Sequence, residues 1–392
     1  MRRARSIRAL LLGGTMAVMG GLMLLRGGSA WASQPSALGG GIEVDEAHHQ
    51  LMIELPAVDL IPEALHHHTG WAPTYAVILP ASGWMRGLRV TLVDDAGRNV
   101  PRRVLHHIKI MAPRKRELFS AKMLRVASAS VETPDLELPR ILGYRFERGE
   151  TLLVNSMLHD PDPRAYEGVR VRIYISYTPA AAWPTPVSVY PLYMRVVPPG
   201  APSDYDVPPG RSVKSWEGRP AVSGRLLAAG AHLHRYGVNL RLDDVTAGQL
   251  IWEAAPSVDA TGAPREMPIT VFLRPLGVRI RRDHVYRLTA VYQNPTGRVI
   301  SDGGMGILGG VFYPSRHERW PGVDPQNPLY QADIRSHAVG DGGVGRPQAR
   351  SPTKQPGDAR ALHDPPRLEE SPRKASAVGE MPIIDRVELD AW

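Results

Sequence analysis

The chain has no cysteine and only 4 Phe among 392 residues. Without cysteine there are no disulfides, so stability has to come from buried apolar surface, and thiolate metal sites are excluded. Long stretches of helical periodicity are also missing, as are a glycine-rich phosphate loop and a recognisable Ser/His/Asp arrangement. Acidic residues are absent from the first 32 positions, which carry five Arg. That leader has the build of a secretory signal: Arg2, Arg3, Arg5 and Arg8, an apolar run over residues 9–25, then Ala30-Trp31-Ala32 as a small-x-small cleavage site. Its removal lowers the formal charge from +8 to +3, so the basic balance gives no reason to expect a nucleic-acid partner. The expected mature protein begins near Ser33, is periplasmic or secreted, and keeps no stable membrane span.

What the chain has in quantity is Gly (38) and Pro (37), spaced between short runs that alternate apolar and polar residues. The clearest run covers residues 169–177, where Val169, Val171, Ile173, Ile175 and Tyr177 share one strand face. Similar runs occur at 50–55, 74–79, 87–93, 103–111, 150–158 and 187–197, and again at 221–228, 231–242, 249–253, 269–273, 286–293 and 306–313. The expected fold is all-β, with two tandem antiparallel β-sandwich domains. After the signal (1–32) and a lead-in (33–46), the first sandwich is expected over 47–197. A Pro/Gly-rich linker (198–215) leads to the second sandwich (216–335). Residues 336–392 have too few apolar residues to pack and read as a mostly disordered tail.

Histidine supplies the candidate chemistry. His232 and His234 flank Leu233 in a strand-like run, so both imidazoles face the same way. His106-His107 are adjacent, and neighbours in a regular strand face opposite sides, so a shared site requires a bulge or a strand end. His159 ends a strand-like run, and Met305 sits among small residues in Ser301-Asp302-Gly303-Gly304-Met305-Gly306. Met305 is either a core plug or a soft thioether ligand. The triple His66-His67-His68 reads mainly as a solvated loop. His48-His49 and His284 are assigned to surface or packing. Asp94-Asp95 and Asp243-Asp244 are read as turn formers rather than catalytic carboxylates.

In this order, His-His, a strand-end His, a linker, His-x-His and Ser-Asp-x-x-Met, the residues resemble the ligand pattern of the copper type II, ascorbate-dependent monooxygenases. The resemblance spans residues 42–314 and implies jelly-roll-like sandwiches. It would give His106, His107 and His159 an electron-transfer copper, and His232, His234 and Met305 the copper that activates oxygen. Two copper ions, ascorbate or another reductant as co-substrate, dioxygen and a small-molecule or peptide substrate follow as expectations. The sequence departs from that family in lacking cysteine and in following His234 with Arg235-Tyr236-Gly237. A non-catalytic copper-binding protein and a sandwich-type interaction module are the competing readings.

Overall fold

The computed structural model describes residues 32–34, 41–60, 74–131, 133, 135–158, 165–272 and 276–337. The expected signal up to Trp31, the His66–His68 triple, His159 and the tail beyond His337 lie outside the described residues. The all-β expectation holds: the described chain is built from strands in several sheets, with one α-helix, Pro328–Ser336.

The first layer is a nine-stranded sheet whose two longest members, Gly83–Val93 and Tyr166–Pro179, pair antiparallel from Arg170 opposite Val93 to Pro179 opposite Gly83. Val169, Val171, Ile173, Ile175 and Tyr177 are all buried, as their alternation requires. They pack against a four-stranded sheet of Thr74–Ile78, Thr151–Leu158, Leu105–Arg116 and Met123–Ser130. Leu51, Ile53, Ile108, Ile110, Phe146, Leu152 and Val154 fill the space between the layers. The second core lies between a five-stranded sheet, centred on Gly224–Leu233 and Gly306–Pro314, and a four-stranded sheet of Gly210–Gly218, Tyr286–Asn294, Gly237–Asp244 and Gln249–Ala254. Leu226, Leu233, Leu240, Leu288, Tyr292, Leu308 and Phe312 form its centre.

The expected strand over 187–197 divides in two. Val187–Ser188 edges the nine-stranded sheet, whereas Tyr190–Arg195 pairs with Gly306–Pro314 in the second core. The chain therefore passes between layers within two residues. The Pro-rich stretch that follows carries the short strand Tyr205–Val207, paired with Ile300–Gly304. Both cores belong to one compact unit, and Trp320 packs against each of them. Its ring stacks on Tyr190 at 4.2 Å, and its indole N–H donates to the Arg116 carbonyl at 2.9 Å.

The helix begins at Asn327, whose side chain accepts from the Leu329 amide at 3.0 Å, with Pro328 in the first turn. Tyr330 and Ile334 pack on Met111, Met123, Ala76 and Leu153, covering the outer face of the first four-stranded sheet.

Candidate functional site at the seam

The strand Leu105–Arg116 has two different faces. Ile108, Ile110 and Ala112 point into the first core, so His107, Lys109 and Met111 point away from it, Met111 packing beneath the helix. Its pairing with Thr151–Leu158 shifts register: Met157 is opposite His107 and Leu158 opposite Leu105, which leaves His106 as the extra residue of a β-bulge. The bulge brings two consecutive imidazoles together, with ring centroids 5.0 Å apart.

His232 and His234 approach from the other side. His232 is opposite Ile307, and His234 opens the turn in which Gly237 N–H donates to the His234 carbonyl. Tyr236 holds a left-handed φ of 67° in that turn. A Cβ at Gly237 would come within 2.8 Å of the Leu233 Cβ, so the tight return needs glycine here. The His232 and His234 rings meet edge to face at 5.1 Å, and His234 lies 5.8 Å from His106. The two pairs, 125 positions apart in sequence at their nearest members His107 and His232, thus gather in one place.

Tyr292, only 1 % exposed, fixes this corner. Its hydroxyl accepts from the His234 amide (3.0 Å) and the Met305 amide (2.9 Å) and donates to the Met305 carbonyl, which uses its full hydrogen-bonding capacity. Burial pushes its phenol up to about 12. Met305 itself is buried, held through its backbone beside the histidine turn.

Charge accumulates along the same seam. Burial, with Arg125 nearby, lowers the Lys109 ammonium to about 8, while Asp204 pulls the other way. His107 is held well below the usual imidazole range by burial, by Lys109 and by the other three histidines.

Beyond Arg116 the chain delivers Glu117, 4 % exposed, to a second polar group. Arg125 donates to both Asp333 oxygens, at 2.9 and 2.7 Å, and its Nη1 stands 3.1 Å from Glu117 Oε1. Ser120 donates to Glu117 Oε2 at 2.7 Å. The Arg125 approach lies outside hydrogen-bonding geometry, so Oε1 has no hydrogen-bond partner among the described residues. Burial pushes the Glu117 carboxyl up, against the pull of Arg125. Asp333 is also buried, yet the bidentate guanidinium keeps it below the usual carboxylate range.

Glu117 lines a small surface recess of about 10 Å³, room for roughly one water, with Ser120, Tyr193, Arg195 and Trp216. Arg195 donates to Ser203 at 2.7 Å. The Trp216 indole lies across its own strand over Gly218, where a Cβ would sit 2.5 Å from the ring.

No known protein family matches the chain, and no curated protein does. Solved structures give faint likenesses. PNGase F, a glycosylasparaginase from Flavobacterium meningosepticum, is 11% identical over 67% of this chain and 96% of its own, with a TM-score of 0.35. PNGF-II is 8% identical over 69% of this chain and 66% of its own, at 0.34. The mavirus major capsid protein is 9% identical over 80% and 93%, at 0.21.

These findings correct the copper monooxygenase reading and its alternative, a copper carrier. No family model and no curated relative supports either reading, and none of the solved structures named above is an ascorbate-dependent monooxygenase. The resemblance assigns the two histidine pairs to separate copper ions, whereas the His106 and His234 rings lie with their centroids 5.8 Å apart. Among the described residues no group of three or more His, Asp or Glu is arranged to hold a metal ion. The cationic Lys109 beside the imidazoles also disfavours a second cation there. His159 lies outside the described residues. The sequence therefore pointed to residues that do assemble, His106, His107, His232, His234 and Met305, but to the wrong chemistry. It missed Lys109, Tyr292 and the Glu117–Arg125–Asp333 group. Arg125 had a usable signal: it is a charged residue within Met123-Leu124-Arg125-Val126, an otherwise apolar start to a strand.

Proposed function

We propose that the chain is a hydrolase in which Glu117 is the proton donor. The observation that carries this reading is a buried carboxyl at the wall of a small recess whose Oε2 accepts from Ser120 while Oε1, 3.1 Å from the Arg125 guanidinium, accepts no hydrogen bond. Two carboxyls share one guanidinium, and their surroundings displace them in opposite directions, Glu117 upward and Asp333 downward. Such a split separates an acid from a fixed anion. Asp333, doubly bonded to Arg125, is the structural partner, and Glu117 is free to exchange its proton. In the reaction, Glu117 gives that proton to the leaving oxygen or nitrogen as its bond to carbon breaks. A water adds to the carbon, and its spare proton returns to the carboxylate. Arg195 and Tyr193 offer polar contacts to the substrate, and the Trp216 ring offers an apolar one.

The test uses a panel of nitrophenyl esters, nitrophenyl glycosides and nitroanilides, which differ in the leaving group to be protonated. Glu117→Gln should lower kcat by about 10²–10⁴-fold with little change in KM. Because the acid form is the active one, the wild-type rate should fall as pH rises through the Glu117 titration, and Glu117→Gln should lose that limb. Failure of the wild type to turn over any member of the panel, or full activity in Glu117→Gln, refutes the reading.

A further inference from the structure

The loop joining Tyr166–Pro179 to Val187–Ser188 presents an uncharged, apolar tip. No Lys, Arg, Asp or Glu occurs anywhere in residues 176–194. Trp183 is 91% exposed, and Ile141 (60%) and Val187 (44%) are exposed beside each other where Val187 N–H donates to the Ile141 carbonyl at 2.8 Å. The base of this protrusion is firm. Trp84 donates to Ser188 at 3.0 Å, and the Ala180 amide donates to the Ser82 carbonyl.

Its surroundings are basic. Arg140 adjoins Ile141, and the Arg148 amide donates to Ser82 Oγ at 2.8 Å, next to the Ala180 contact. Both arginines are exposed, and neither is in an ion pair among the described residues. The nearby acids are neutralised: Glu147 pairs with Arg145, Glu137 with Arg86 and Glu150 with Lys115.

We propose that this tip docks on an anionic lipid surface, Trp183 entering the headgroup region while Arg140 and Arg148 meet the lipid phosphates. An indole, apolar at its body and polar at its N–H, suits that boundary, and unpaired cations at the rim add attraction to negative headgroups. A firm loop gives up little conformational freedom when it inserts.

The test is sedimentation of the full chain with vesicles of mixed phosphatidylglycerol and phosphatidylcholine, against pure phosphatidylcholine. The wild type should pellet with the anionic vesicles, less so as salt rises. Trp183→Ala should weaken binding roughly tenfold, the effect of removing one large buried apolar side chain. Arg140→Gln and Arg148→Gln should each weaken it about fivefold and flatten the salt dependence. All three positions are exposed, so unchanged thermal melting verifies the fold of each variant. No sedimentation of the wild type, equal sedimentation of Trp183→Ala, or binding indifferent to lipid charge overturns the proposal.

Discussion

Replacing Arg125 with Met tests the organisation of the seam most severely. The guanidinium is buried and faces two buried carboxyls, at 2.7 Å from Asp333 and 3.1 Å from Glu117. Methionine fits the apolar part of the side chain, so the change chiefly removes charge and hydrogen bonds. Breaking a buried ion pair by deleting one partner costs about 3–5 kcal/mol, because the survivor stays desolvated. At about 2.1 cal/mol/K of unfolding entropy per residue, an ordered chain of roughly 250–300 residues loses about 1.5–2 °C in Tm per kcal/mol, so the expected loss is about 5–10 °C at neutral pH. The pH dependence fixes the cause. In the wild type Asp333 has a lowered pKa, so its contribution is present above the unfolded carboxylate pKa, near 3.9, and is lost as pH falls through the folded value. In Arg125→Met the same carboxyl is raised, so acid should relieve the variant, and its deficit should shrink below about pH 4. Thermal melting followed by circular dichroism between neutral and acidic pH measures this. Arg125→Lys, which keeps the charge but not the fork, should fall between the two. A loss under about 1 kcal/mol, or a deficit independent of pH, would refute the argument that this guanidinium holds the two carboxyls.

The cores were legible because strand periodicity reports which face is buried. Val169 through Tyr177 alternates in the sequence and is buried in that alternation in the fold. The same rule failed at the seam. Lys109, between Ile108 and Ile110, reads as the solvent face of a half-buried strand, yet that face is covered: Met111 packs under Tyr330 and Ile334 of the helix, and Lys109 is desolvated. Pattern reports alternation, not what lies opposite. A polar outer face covered by another layer looks the same in sequence as one facing water.

The condition on His106-His107, that both serve one site only at a bulge or a strand end, is a physical inference, and of the two a bulge is present. The assignment of the two histidine pairs to separate sites depended on motif order alone. Motif order is silent on the distance between strands, and here the pairs come within 5.8 Å. The helix Pro328–Ser336 was missed because nine residues give too few turns for a period to stand out. Asn327-Pro328, a cap followed by a first-turn proline, was the available signal.

Two further outcomes follow from the histidine corner. Tyr292→Phe removes a hydroxyl that serves two amides and a carbonyl, taking a partner from the two buried Met305 backbone groups and from the half-buried His234 amide; the expected cost is about 2–5 kcal/mol. Hydrogen exchange should show the His234 and Met305 amides losing protection first, and unchanged exchange at both would show that the phenol is not their anchor. His107 carries the second. Its lowered pKa means the folded protein holds it neutral while the unfolded chain, with an imidazole near 6.5, takes up a proton. The stability this provides is therefore complete above about pH 6.5 and is lost as pH falls toward the folded value. Lys109 adds to that loss by repelling a protonated His107, as does the neighbouring His106, whose ring centroid lies 5.0 Å away. His107→Gln should flatten the acid side of the stability curve without altering it above neutrality. A curve for His107→Gln that falls as steeply as the wild type would show that the acid sensitivity arises elsewhere than at the seam.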